Sequence, residues 1–229
     1  MQRLKRKLRD VIRDSSYLYP VFLKLYLGKQ LKLPSVDTDC HLTGFPRSAN
    51  TYSHYLAKGL FPDLKFITHV HTIASLRSAK KFDIPVAIIL RDPADCTVSM
   101  CLKNKKQSTD QAAIADYLYD YWHYHAWIEE HLPNAAIFRF TDVTQHSEDF
   151  LIELAKHLGI ELLTDALPAR VGAIKQTFAD RESLKDPDGS SLPKESRKAR
   201  KTEYISAIQQ NAELASAEAI YQRLLLKVS

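Results

Sequence analysis

Four short apolar runs punctuate the chain, at residues 40–44, 64–68, 85–90 and 135–140, each flanked by polar or turn-forming residues. Runs of this length without polar alternation suit strands buried on both faces. Helical spacing of apolar positions fills the intervals, over 51–60, 94–103, 110–131, 147–158 and 201–227. Strands alternating with helices predict an α/β fold, a three-layer αβα arrangement around a central parallel sheet. Ligands of such sheets bind beyond the carboxyl ends of the strands, and the loops after Gly44 and Leu90 leave from such ends. Residues 185–200, rich in Pro, Gly, Ser and charge, predict a mobile surface loop.

The 229 residues divide into an N-terminal helical segment, 1–30, and an α/β domain, 31–229. The first thirteen residues carry six basic side chains against Asp10, which accounts for the whole formal excess of +5. A nucleic-acid binder is expected to carry its excess on the folded surface, so no nucleic-acid partner is expected. Leu4, Leu8, Val11 and Ile12 share a helical face among these charges. Two readings of that face stand: a helix lying on a membrane surface, or a solvated helix whose apolar edge packs on the domain. The apolar stretch 17–27 contains Pro20 and Lys24 and is too short to span a bilayer. Nothing at the N-terminus resembles a secretory signal. Three cysteines, Cys40, Cys96 and Cys101, show no paired metal spacing and read as reduced thiols, which fits a cytoplasmic protein, at most membrane-peripheral.

The loop Gly44-Phe-Pro-Arg-Ser-Ala-Asn-Thr51 joins the first strand to the first helix of the domain. Strand, tight loop and helix N-terminus is a geometry that offers backbone N–H groups to a phosphate. The loop matches the P-loop frame G-x-x-x-x-G-K-[S/T] in length, with Ala49 and Asn50 in place of the second glycine and the lysine. Without that lysine, an anionic nucleotide other than ATP is expected. The second segment runs from a buried strand into Arg91, then Asp92-Pro93 opens a helix. Ser99 follows Arg91 by eight residues, about two helical turns. A P-loop ATPase often ends this strand with a carboxylate for Mg²⁺; an arginine here favours a second anion.

Together these segments resemble the sulfotransferases that use 3′-phosphoadenosine-5′-phosphosulfate (PAPS). That family carries P-[K/R]-S-G-T-T-W for the 5′-phosphosulfate and R-[N/D]-P-x-D, with a serine eight residues after the arginine, for the 3′-phosphate. Pro46-Arg47-Ser48-Ala49-Asn50-Thr51-Tyr52 and Arg91-Asp92-Pro93-Ala94-Asp95 with Ser99 match in order and spacing. Fainter echoes are Phe140-Thr-Asp142-Val for the family's Y-E-D-L and Tyr121-Trp122 with Trp127 for its aromatic helix, so the resemblance spans about 38–160. It implies PAPS as sulfuryl donor, no metal, and a small-molecule, lipid or saccharide acceptor. Arg47 would then balance the departing phosphate, while Ser48, Ala49, Asn50 and Thr51 form the rest of the cradle. Tyr52 would stack on adenine, and Arg91 and Ser99 would hold the 3′-phosphate. Two departures stand out: Ala49 adds a methyl group where the family has glycine, and the C-terminal R-K-G-x-x-G segment is missing. Arg197, Lys198, Arg200 and Lys201 are its candidate substitutes, against the plainer reading of a solvated charge run.

Sulfuryl transfer also needs a base. The family's T-H pair is echoed in Thr68-His69, 22 residues before Arg91, which makes His69 the candidate and His71 the second choice. Tyr117, Tyr121, Tyr124 and Trp127 share a helical face that suits either an acceptor pocket or core packing. Two competing readings remain, a small-molecule kinase of the same architecture and a non-catalytic nucleotide-binding scaffold. The kinase lacks its lysine at Asn50 and its carboxylate at Arg91.

Overall fold

The computed structural model describes residues 2–28, 32–67, 70–184 and 195–228, with the backbone alone at 2–5, 27 and 195–200. Four strands, β1 (Cys40–Gly44), β2 (Phe66–Ile67), β3 (Val86–Leu90) and β4 (Ala136–Arg139), form a parallel sheet in the order β2-β1-β3-β4. The expected α/β architecture is what the chain adopts. Every side chain of β1 and β3 is buried, because helices cover both faces. Val86, Ile88 and Leu90 point into one core and Ala87 and Ile89 into the other.

On the first face lie α4 (Ile73–Lys81), α5 (Pro93–Lys103), α6 (Gln111–His131), α10 (Glu195–Gln209) and α11 (Leu214–Leu225). On the second lie α3 (Asn50–Leu60), α8 (Ser147–His157) and α9 (Leu167–Ser183), with the short α7 (Phe140–Gln145) leading in from β4. The chain leaves β1 for α3 on one face and leaves β3 for α5 on the other. The helices after these adjacent strands therefore lie on opposite faces, which makes the carboxyl ends of β1 and β3 a switch point, the place at which such sheets bind ligands.

Local chemistry sets the helix starts. Asp92 accepts from the Asp95 N–H at 2.9 Å with Pro93 in the first turn, and Asp110 accepts from the Ala113 N–H at 3.0 Å. The single helix expected over 201–227 is two. Asn211 interrupts it, its side chain accepting from the Glu213 N–H at 3.1 Å and donating to Gln111 at 3.0 Å. Two helices escape the apolar pattern. Buried Ser75 and Ser78 dilute it in α4, and the stripe of α9 is the narrow Leu167, Val171, Ile174, Phe178. Of the loop expected at 185–200, residues 195–200 open α10, and the remainder lies outside the described residues.

The N-terminal segment folds as α1 (Gln2–Asp14) and α2 (Leu18–Leu27). Its docking is the reverse of apolar-edge packing. Arg6 pairs with Asp116 at 2.8 Å, and Arg9 and Arg13 grip Asp120 at 2.6 and 2.9 Å. Asp10 accepts from the Tyr119 hydroxyl at 2.8 Å, and Asp14 meets His123 at 2.6 Å. Leu8 and Val11, on the opposite side of α1, are 64% and 61% exposed. All three cysteines are buried free thiols, and burial pushes Cys40 up to about 12 and Cys96 and Cys101 up to about 11.

Candidate functional site

The loop after β1 is held from below. A Cβ on Gly44 would come within 2.5 Å of the Ile89 carbonyl oxygen, so glycine here lets β1 and β3 close together. Asn50 Nδ2 donates to the carbonyls of Phe45 at 3.0 Å and Gly44 at 3.3 Å, bracing the loop across its base. Its amide side chain is thus a strut, and what it offers an anion is its backbone N–H.

Ala49 takes φ 59° and ψ 22°, the left-handed conformation that a glycine would adopt. An alanine holds this conformation at a cost of about 1–2 kcal/mol. Arg47, at φ 76°, is left-handed as well, so two residues of one short loop carry strain. No side chain caps α3 at Ala49, so its first N–H groups face the loop uncapped.

The two loops meet. Arg47 Nε donates to Ser99 Oγ at 2.9 Å, and Arg91 Nη1 donates to the Arg47 carbonyl at 2.6 Å. Arg91 lies 4.2 Å over the Phe140 ring, its own carbonyl accepts from Tyr121 at 2.7 Å, and its Nη2 is a distant 4.0 Å from Asp95. Its buried Nε has no hydrogen-bond partner among the described residues. A buried guanidinium N–H left in that state is costly and fits an anion. Lys201 of α10 reaches Asp95 at 2.5 Å, so the C-terminal basic run does approach this loop. The side chains of Arg197, Lys198 and Arg200 lie outside the described residues.

The other expected site residues are dispersed. Ser48 is fully buried with its hydroxyl 3.5 Å from Cys96 Sγ, facing α5. Thr51 is half-buried on the first turn of α3. Tyr52 packs edge to face on Phe178 with centroids 5.1 Å apart, its hydroxyl 3.4 Å from Ser147. His69 lies outside the described residues.

Beside the loop, a cavity of about 100 Å³ is lined by Phe45, Pro46, His71, Tyr117 and Tyr124, with Arg13 and Asp120 contributing from α1 and α6. His71 Nδ1 sits 3.3 Å from the Thr43 hydroxyl, which is also 3.4 Å from Tyr124 Oη. The aromatic face of α6 is therefore divided: Tyr117 and Tyr124 reach the cavity, Tyr124 from within the core, whereas Tyr121 and Trp127 serve the core alone. Arg13 carries no sequence signal for this position. Only the ion pairs of α1 with α6 bring it there.

No family model matches the chain, and no curated protein matches it. Among solved structures it is similar to mouse sulfotransferase SULT7A1 complexed with PAP, at 13% identity and a TM-score of 0.52. The alignment covers 83% of this chain and 90% of that one. The fold is sulfotransferase-like. At this identity the likeness concerns the fold alone.

Proposed function

We propose that this chain is a sulfotransferase that moves a sulfuryl group from PAPS to a hydroxyl or amine of a small-molecule, lipid or saccharide acceptor. The observation that carries the reading is the junction of the two loops, where Arg47, Ser99 and Arg91 converge beside the uncapped start of α3. Two guanidinium groups and a helix N-terminus at one switch point suit a ligand with two separated anionic groups.

In the proposed reaction the acceptor lone pair attacks sulfur, and the bond from sulfur to the 5′-phosphate oxygen breaks. The departing bisphosphate takes the electron pair, and its charge is met by Arg47 and the N–H groups of α3. Arg91 and Ser99 hold the 3′-phosphate. The acceptor's proton passes to His69 as base, with His71 the second candidate. The acceptor enters through the cavity that His71 and Tyr124 line.

Calorimetry without added metal tests the reading, comparing 3′-phosphoadenosine-5′-phosphate with ATP and AMP. The expected result is clear preference for the bisphosphate. No binding, or preference for ATP with Mg²⁺, overturns it in favour of a scaffold or a kinase. The base is tested separately with His69→Ala. Bisphosphate binding kept and turnover lost supports the assignment, and unchanged turnover removes it.

A further inference from the structure

The hairpin of α1 and α2 turns Arg6, Arg9, Asp10, Arg13 and Asp14 toward the protein and many of its apolar side chains toward solvent. Leu18, Val21, Phe22 and Leu25 recur at i, i+3, i+4 and i+7, the spacing by which a helix normally faces a core. Here all four are exposed, from 37% for Phe22 to 73% for Leu25, and Tyr17 and Tyr26 beside them are 72% and 74% exposed. Leu8 and Val11 extend the patch onto α1. Most of the exposed large apolar side chains among the described residues thus fall in this one hairpin. A contiguous patch of that kind marks an interaction surface.

Charge identifies the occupant. The acidic residues of the hairpin, Asp10 and Asp14, are both turned onto α6, where they meet Tyr119 and His123. The outward charges of its described side chains are Lys7 and Lys24. Lys80 and Lys81 of α4 are exposed nearby, Lys81 lying 5.7 Å from the Tyr17 ring, with Asp83 on the turn that follows. A second copy meeting this patch across a two-fold axis would bring Lys7 and Lys24 to both sides of one seam, with the hairpin's Asp10 and Asp14 turned away and unable to offset them, which is unfavourable. An anionic lipid surface offers the complement of both features, acyl chains for the apolar face and headgroups for the lysines. Exposed Tyr17 and Tyr26 suit the boundary between them. No helix among the described residues is long and apolar enough to cross a membrane, and ten-residue α2 spans about 15 Å.

We infer that the α1–α2 hairpin docks the protein on anionic membranes, lying in the interface with Leu18, Val21, Phe22 and Leu25 inserted and Lys7 and Lys24 at the headgroups. The inference stands apart from the sulfuryl-transfer reading, and its test needs no nucleotide.

Flotation of the full chain with vesicles of phosphatidylcholine alone, or of phosphatidylcholine with phosphatidylglycerol, tests it. Expected is flotation with the anionic vesicles, weakened by salt, and at least tenfold less of it for V21D/L25D. That variant should keep the far-UV circular dichroism and melting temperature of the parent, since both side chains are exposed. A second variant, K7E/K24E, should lose the preference for anionic vesicles whether or not the first folds. Failure of the parent chain to float, or undiminished flotation of folded V21D/L25D, overturns the inference. So does a dimer, seen by sedimentation without lipid, that V21D/L25D dissociates, because the occupant is then a second copy.

Discussion

Arg91 donates from Nη1 to the main-chain carbonyl of Arg47 at 2.6 Å, so the loop after β3 fixes the backbone of the loop after β1. The side chain of Arg47 returns the contact through Ser99, two turns into α5. Each loop therefore shapes the other, and the two phosphate subsites proposed above would not be independent of one another.

This coupling sharpens the test of Arg91. If its guanidinium holds a 3′-phosphate, Arg91→Ala removes a charge-assisted contact of about 2 kcal/mol, roughly thirtyfold in affinity. Binding of 3′-phosphoadenosine-5′-phosphate should fall by that factor by calorimetry, and binding of AMP, which lacks the 3′-phosphate, by only a few-fold. Equal losses would mean that Arg91 acts by bracing the Arg47 carbonyl, with no 3′-phosphate subsite.

The left-handed Ala49 makes a prediction about stability. Glycine is free of the Cβ penalty of about 1–2 kcal/mol at this φ and costs about 0.5–1 kcal/mol more in backbone entropy. Ala49→Gly should therefore stabilise by up to about 1.5 kcal/mol, a rise of up to about 6 °C in thermal unfolding. The bisphosphate affinity should hold within a few-fold. A lower melting temperature would show that the methyl group makes contacts worth more than the strain.

Docking of α1 through ion pairs predicts unequal responses to charge removal. Arg9 and Arg13 share Asp120, whose side chain is 20% exposed, whereas Lys156 and Glu153 form a pair 65% and 39% exposed. Asp120→Ala should cost about 1–2 kcal/mol, because two partly desolvated guanidinium groups lose their shortest contact and keep only the longer ones to Asp10 and, for Arg13, Asp14. Lys156→Ala should stay within about 0.5 kcal/mol. Trypsin digestion reads the difference locally, with faster cleavage after Arg9 and Arg13 in Asp120→Ala alone. Equal cleavage rates would mean that other contacts hold α1.

These sites also separate what was legible in the sequence from what was not. The strands at 40–44 and 85–90 could be read because burial on both faces leaves an unbroken apolar run. Capping chemistry at Asp92 and Asp110 fixed two helix starts within a residue. Contacts between segments far apart in sequence were beyond reach. Nothing local says that Arg47 meets Ser99, or that Arg91 reaches the Arg47 carbonyl. The four aromatic positions of α6 gave one face, and only packing divides Tyr117 and Tyr124 from Tyr121 and Trp127. The amphipathic pattern of α1 was visible, but the face that docks was not, because periodicity carries no sign when the partner surface is acidic.

Two buried histidines make the fold acid-sensitive. His41 Nδ1 lies 3.1 Å from the Ile67 carbonyl and its Nε2 lies 3.0 Å from Ser75 Oγ, in a fully buried setting. His125 donates from Nδ1 to the Tyr121 carbonyl at 2.8 Å, and its buried Nε2 has no hydrogen-bond partner among the described residues. Burial lowers both to about 4 from an ordinary 6.5. Between those values the unfolded chain binds protons that the folded chain refuses. Stability is therefore complete above pH 6.5, declines as pH falls, and levels off below about 4, by about 3 kcal/mol for each histidine. His125→Phe, set among Phe45, Tyr121 and Tyr124, removes one of these titrations. Urea unfolding at pH 7 and pH 4.5 should show a drop about 2–3 kcal/mol smaller in the variant than in the parent chain. Parallel losses in the two proteins would mean that His125 already binds its proton in the folded state, against its burial in an aromatic cluster.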